Sequence, residues 1–409
     1  MKSKSILLKL SLSLVLFLSL LMTRSAPTLS HQAEISIITI GPYQPELYSA
    51  FGHSGIRVYD PARNMDWMYD YGRFDFDQEN FYWNFARGNM LYSIGRTKSF
   101  QRAKNYYMKE DRYIYEQVLN LTQVEKQQFF DYLENNYLPE NRDYLYNYVY
   151  DNCATRIRDA VEQVVNGEVV YDSSFVVENK TVRDLMDDYL PYQPWGDLII
   201  DIGLGSQIDR EAPLEVYMFL PDFIYIAFED AMIQRDSVSF PLVKNTLKLY
   251  TQKEEPEAIG WFTPFNVFIL LFFVVGLITN RDFKKQRRSH WLDVVLFSVI
   301  GILGWWLAFL WFGTIHLSEA NWNLLWAFPF HIPLVYLLNK PSLRPILSRV
   351  YRFLAVLHFL TLVFWVVIPQ PLHQAILPLL VTLMLRSFYI SYDLGRIRFG
   401  KARSNGATT

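Results

Sequence analysis

Cysteine is nearly absent from this 409-residue chain: Cys153 stands alone. No disulfide can form within it, and a metal site built on several thiolates is excluded. Histidine is scarce too, since only His31 and His53 of the seven precede residue 260. Zinc commonly takes three or four His or Cys ligands, and no His-Glu-x-x-His run occurs, so no metal is expected. Positive charge is also short there. Residues 27–259 hold 21 Lys and Arg against 37 Asp and Glu, a net of −16. That excludes nucleic acid, whose phosphates need clustered cations. Gly203-Leu204-Gly205 lacks the lysine and third glycine of a phosphate loop. In Gly52-His53-Ser54-Gly55, Ile56 stands where a serine nucleophile elbow needs glycine. No cofactor is implied.

Beyond residue 260 the balance reverses, with 14 Lys and Arg against 4 Asp and Glu and long apolar runs. Five membrane spans are expected, near Trp261–Thr279, Leu292–Phe312, Trp322–Leu338, Tyr351–Ile368 and Leu372–Tyr389. Pro329, Pro333 and Pro378 interrupt the third and fifth, which spans tolerate. Arg281, Lys284, Lys285, Arg287 and Arg288 follow the first. Lys340, Arg344 and Arg349 follow the third, and Arg396, Arg398, Lys401 and Arg403 the fifth. The connections around Gly313–Asn321 and Gln370–Leu372 carry none. The positive-inside rule makes the basic loops and the C-terminus cytoplasmic and puts residues 27–259 outside. Residues 1–26, two lysines and then an apolar run from Ile6 to Met22, read as a signal peptide or signal anchor and agree. His316, His331, His358 and His373 lie in or beside spans without an acid or thiol partner at helical spacing, and read as packed or interfacial residues.

The exported part reads as α+β. Glu34–Ile40 is β-rich, and Ser54–Asp60 alternates and forms a hairpin with Asp66–Phe74 across a turn at Pro61–Asn64. Arg112–Leu119 is a further strand. Thr122 with Glu125 is a capping box opening a helix to about Asn136, and Thr181 with Asp184 repeats that signal. Asp187 and Asp188 read as a solvated helix face, and Lys253–Glu257 as a linker to the first span.

Ala154, Ile157, Val161 and Val164 fall at helical spacing, with Asp151 or Asn152 as N-cap, so Cys153 opens a helix. There the macrodipole and free N–H groups favour a thiolate, Arg156 adds positive potential, and the same N–H groups suit an oxyanion. An inert buried cysteine is the alternative. His53 starts a strand on the face opposite Ile56 and Val58, flanked by glycines, and is the base available to that thiol. Asp70, in the partner strand, is the candidate that orients the ring, with Tyr71 behind it.

The strings FGHSGIRVYD, YDYGRFDF, NFARGNMLY, NRDYLYNYVYDNCATRIRD and GLGSQIDR resemble the Lnb-type periplasmic domain over most of residues 35–215. Some members of that family carry several spans and act as lipoprotein N-acyltransferases. The resemblance implies a permuted papain-like, NlpC-like exoplasmic domain (27–259) followed by a five-helix membrane domain (260–409) in the bacterial inner membrane. It makes Cys153 the nucleophile and His53 the general base, with Asp70 where other members would carry an amide. It implies a phospholipid acyl donor, a thioester on Cys153 and a diacylglyceryl-cysteine lipoprotein as acceptor. Two readings stand beside it: a membrane-anchored Cys-His amidase or peptidase acting on cell wall, and a non-enzymatic envelope sensor or binding protein.

Overall fold

The computed structural model describes residues 27–405 apart from 76 and 255–257. The signal segment expected over residues 1–26 and part of the expected linker lie outside the described residues.

Among the described residues ten strands form two antiparallel sheets. They are β1 (Glu34–Ile40), β2 (His53–Asp60), β3 (Met65–Arg73), β4 (Leu91–Thr97), β5 (Ile114–Leu119), β6 (Asp143–Leu145), β7 (Glu168–Val170), β8 (Met232–Arg235), β9 (Val238–Pro241) and β10 (Val243–Tyr250). The large sheet has the order β10-β5-β1-β2-β3-β4-β6 and the small one β7-β8-β9. The β2–β3 hairpin closes through a 3-10 turn at Pro61–Arg63, with Asn64 at φ 53°, a left-handed position that asparagine tolerates.

Among the described residues eight α-helices precede residue 260: α1 (Phe81–Arg87), α2 (Phe100–Lys109), α3 (Gln123–Asn136), α4 (Cys153–Val164), α5 (Val182–Asp187), α6 (Pro194–Gly203), α7 (Leu214–Tyr217) and α8 (Pro221–Glu229). Strand alternation assigns the two faces of the large sheet. Ile35, Ile37, Ile56, Val58 and Tyr69 pack with Phe129 and Phe130 of α3, Ile157 and Val161 of α4 and Phe228 of α8. On the other face Ile38, Ile40, Met68 and Ile114 meet Phe100 of α2. The capping box expected at Thr122 opens α3: Glu125 Oε2 accepts from Thr122 N at 2.7 Å.

Five more α-helices follow among the described residues: α9 (Pro264–Lys285), α10 (His290–Gly313), α11 (His331–Leu337), α12 (Arg344–Val363) and α13 (Ile376–Asn405). Four of them, over Pro264–Lys285, His290–Gly313, Pro341–Val363 and Ile376–Arg396, are long and apolar enough to cross a membrane. The expected span Trp322–Leu338 is not a continuous helix. A 3-10 turn at Trp322–Leu325 and the seven-residue α11 share it, because Pro329 and Pro333 deny the backbone donors a continuous helix needs. Irregular backbone at that depth is tolerated where protein covers it. Trp326, Ala327, His331 and Val335 are fully buried. Gly301 and Gly304 of α10 admit the segment: a Cβ on Gly304 would sit 2.0 Å from Ala327 O.

Polar contacts define the two ends of this bundle. At one end Arg386 donates to Asp293 (2.6 Å), Asp282 (3.0 Å) and Thr279 (3.0 Å), and Ser348 Oγ donates to Ser391 O at 2.9 Å. Lys284, Lys285, Arg287 and Arg288 share that end. At the other end the bundle holds the sheet-bearing part. Asn321 Nδ2 donates to Ile202 O (2.8 Å), Gln370 Nε2 to Leu204 O (2.8 Å) and Gly205 N to Leu317 O (2.9 Å). Asn321 and Ser348, which flank the broken segment, make their bonds at opposite ends of the bundle.

Candidate active site

The sequence of β2 ends its pairing with β3 early. Residues 53–55 pair with Ile40, Thr39 and Ile38 of β1, whereas the β2–β3 register begins at Ile56↔Tyr69. β3 is also irregular against β4 between Asp70 and Arg73. The start of α4 enters at this splayed end. Gly72, at φ +94°, borders the sulfur's residue: a Cβ there would lie 3.8 Å from Cys153 Cβ.

The imidazole of His53 and the thiol of Cys153 lie close enough to act on each other's charge, and the Ser54 backbone N–H lies close enough to the sulfur to favour its thiolate. Cys153 is 9% exposed and the His53 side chain 21%, so the pair opens on the histidine side. Burial opposes charge on the imidazole, yet the Cys153 sulfur and the Asp70 carboxylate outweigh it and raise His53 to about 9. Burial likewise pushes the thiol up, but the neighbouring His53 and the Ser54 N–H more than offset it and hold Cys153 below its ordinary value. Both directions favour a thiolate–imidazolium pair.

Asp70 lies 3.5 Å from His53 Nε2. Arg73 holds it, Nη2 to Oδ1 at 2.6 Å and Nε to Oδ1 at 2.9 Å, and in turn donates to Thr97 Oγ1 at 2.8 Å. Burial raises the Asp70 carboxyl, and the bonds from His53 and Arg73 bring it below its usual value. Tyr71 does not stand behind Asp70. Successive strand residues point to opposite faces, and Tyr71 is buried in the core beside Tyr144 (ring centroids 6.0 Å).

Asn152, not Asp151, caps α4. Its Oδ1 accepts from Ala154 N (2.8 Å) and Thr155 N (3.0 Å), and Thr155 Oγ1 accepts from Asn152 N (2.8 Å). Its Nδ2 donates to Tyr148 O and Phe219 O. Asn152 is thus fully committed to placing the helix, and two of the expected free N–H groups are spent on the cap. The N–H of Cys153 itself is left out of that cap. Arg156 is turned away: it pairs with Asp151 (2.5 and 2.8 Å) and lies over Tyr144 at 3.5 Å. An arginine so neutralised adds little potential at the sulfur. Ser54 and Arg73 were not marked by the sequence reading. The Ser54 contribution is a backbone group with no residue signature, while Arg73, three residues after Asp70, was open to inspection.

Among the described residues one group of side chains could in geometry hold a cation: Asp197, Asp201 and His373, with ligand atoms within 4.8 Å of one another. His373 Nδ1 accepts from Ala375 N at 3.0 Å, so the ring proton sits on Nε2 and faces Asp197 Oδ2 at 3.1 Å. That tautomer donates a hydrogen bond and does not ligate. The residues therefore fit a hydrogen-bonded seam between α6 and the loop before α13. No acid stands at helical spacing from His373; its acid partner, Asp197, comes from 176 positions earlier. Asp187 is half-buried near this seam and is not on a solvated face. Burial first, then the charges of Asp201 and Asp197, raise its carboxyl to about 8. Asp188 is exposed and pairs with Lys180 at 2.5 Å, as a solvated residue should.

Residues 30–188 match the Lnb N-terminal periplasmic domain and residues 254–396 match the Lnb transmembrane domain. The chain belongs to the Lnb-type family. It is a membrane protein with a periplasmic segment, and the α+β sheet domain followed by a helical bundle is the Lnb arrangement. The His53–Cys153 pair lies within the span matched to the Lnb periplasmic domain. No curated protein and no solved structure matches the chain.

Proposed function

We propose that this Lnb-type protein is a thiol-dependent lipoprotein N-acyltransferase. Cys153 Sγ attacks the ester carbonyl of a membrane phospholipid, the N–H groups of Ser54 and Cys153 receive the oxyanion, and His53 returns a proton to the departing lysophospholipid. The resulting thioester is attacked by the α-amine of a diacylglyceryl-cysteine lipoprotein. His53 takes the amine's proton and the Cys153 thiol is regenerated. Asp70 on Nε2 sets the tautomer that leaves Nδ1 for the sulfur.

The observation that carries this reading is the pairing of charge between His53 and Cys153, His53 raised and Cys153 lowered, on a domain bonded to a membrane bundle at several points. A helix-start cysteine facing a strand-borne histidine is a permuted papain-like arrangement. We take residues 27–259 as the exported domain and 260–409 as the membrane domain, with five crossings, the third made by the broken segment Trp322–Leu338. The end bearing Lys284, Lys285, Arg287 and Arg288 then faces the cytoplasm of the inner membrane, with the C-terminus on that side.

The test is the full chain in phospholipid nanodiscs with a synthetic diacylated lipopeptide. Mass spectrometry should find one added acyl chain on the lipopeptide amine, absent with Cys153→Ala. A soluble muropeptide cleaved instead would establish the amidase reading. A Cys153 unreactive to thiol probes near neutral pH would establish the non-enzymatic one.

A further inference from the structure

Helix α1 carries three large aromatic side chains that are poorly covered: Tyr82 is 81% exposed, Trp83 56% and Phe85 50%. Its position accounts for them. Trp83 stacks on Phe309 near the end of α10 (centroids 6.0 Å apart, 28° between planes). Ile315 N donates to Arg87 O at 3.0 Å, and His316 Nε2 lies 3.1 Å from Phe85 O. Since α10 ends at Gly313, the boundary of any apolar layer it spans passes at the level of α1. Tyr, Trp and Phe there are the side chains that settle at a headgroup boundary. Arg87, whose guanidinium lies 5.9 Å from the Trp83 ring, places a cation at phosphate level in a part of the chain that is otherwise acidic.

From α1 a chain of ring contacts runs to the sulfur. Phe81 lies 6.4 Å from Phe74, Phe74 5.3 Å from Tyr92, and Tyr92 4.3 Å from Tyr146 in a stacked pair. Tyr146 and Cys153 are then separated by Gly72, where a Cβ would sit 3.7 Å from the Tyr146 ring and 3.8 Å from Cys153 Cβ. Phe74, Tyr92 and Tyr146 are each half-buried. Together they form a ring-lined floor between the bundle's edge and the reactive pair. Every methylene drawn from a bilayer across open water is disfavoured, and a continuous aromatic floor removes that obstacle.

We propose that α1 lies in the headgroup boundary and that the lane Phe81–Phe74–Tyr92–Tyr146 carries one acyl chain of a membrane phospholipid to Cys153. The placement of α1 stands on its own. The use of the lane rests on the acyl-transfer reading, in which the Cys153 sulfur–acyl bond forms as the glycerol ester C–O bond breaks, the lysolipid oxygen taking the proton from His53.

The experiment uses the full chain in phosphatidylethanolamine–phosphatidylglycerol nanodiscs. A phospholipid with a photoactivatable diazirine on its acyl chain is crosslinked and the adducts mapped by peptide mass spectrometry. Adducts on residues 81–87 and on peptides bearing Tyr92 or Tyr146, persisting with Cys153→Ser, are expected. Adducts confined to α9, α10, α12 and α13 would overturn the proposal. The second arm compares Cys153 acylation by palmitoyl and butyryl phospholipids. Phe74→Ser and Tyr92→Ser should lower the palmitoyl-to-butyryl rate ratio by about tenfold or more, and Tyr92→Phe, which keeps the ring, should retain it. A ratio unmoved by the serine variants would overturn the lane. Photo-adducts along the lane with no acylation of Cys153 by either lipid would support the lipid path and overturn the acyl-transfer reading instead.

Discussion

The Asp70 carboxylate sits between a titrating imidazole and a fixed cation: His53 Nε2 at 3.5 Å on one side and Arg73 Nη2 at 2.6 Å on the other. Its charge is one reason His53 is raised to about 9. Below that pH the imidazolium can protonate a leaving group; above the lowered value of Cys153 the sulfur is a thiolate. Acyl transfer should therefore fall on the alkaline side as pH passes about 9 and on the acid side as Cys153 protonates. Asp70→Asn removes a stabilising anion, lowers the imidazolium's pKa and moves the alkaline limb to lower pH. His53→Ala should cost about 10²–10⁴-fold in rate. Rate profiles against pH for the wild type and both variants check this.

Asn152→Ala should lose about 1 kcal/mol of helix stability through the cap and, in addition, Cys153 reactivity, since the same residue ties the start of α4 to Tyr148 O and Phe219 O. Thr122→Ala removes the cap of α3, far from the sulfur. It should show a similar stability loss with little change in the alkylation rate of Cys153. Denaturation midpoints and iodoacetamide kinetics, measured together, separate the two effects.

The seam at Asp187 should respond to pH in the opposite sense to an ordinary carboxylate. With its folded value raised to about 8 by burial and by Asp201 and Asp197, the folded state holds a proton that the unfolded state releases near its ordinary value of 3.8. Stability then declines as pH rises from about 4 to about 8. Asp187→Asn abolishes this group's share of the decline, so its gain in thermal midpoint over the wild type should be larger at pH 8 than at pH 5.

Gly304→Val should disturb the broken third segment, because even a Cβ would meet Ala327 O at 2.0 Å. Overpacking of this kind costs about 1–3 kcal/mol. A lower thermal midpoint in detergent is the expected readout, while Gly276→Val, with nothing near its Cβ, should leave the midpoint almost unchanged.

Much of the fold was legible because its signals are local. The β2–β3 hairpin, the capping box at Thr122 and the helix opening at Cys153 each rest on residues within a few positions of one another. The meeting of His53 and Cys153, a hundred positions apart, was inferable only from scarcity: one thiol, and one well-placed imidazole to face it. What escaped depends on tertiary approach. The Ser54 N–H is exposed to the sulfur because β2 and β3 splay, Arg156 is drawn away by Asp151, and Asp187 meets two carboxylates from a distant helix. Strand alternation turns Tyr71 into the core, away from Asp70, and that alternation is readable in the sequence. The third span failed as a helix because two prolines outweighed its hydropathy.

The measurement closest to the central claim is peptide mass spectrometry of the full chain after incubation with phospholipid alone, without acceptor. A hydroxylamine-labile acyl group on the peptide bearing Cys153, lost in His53→Ala, is the predicted result. An unmodified Cys153 in a protein whose thiol still alkylates readily, or an acyl group carried by another residue, would contradict the account.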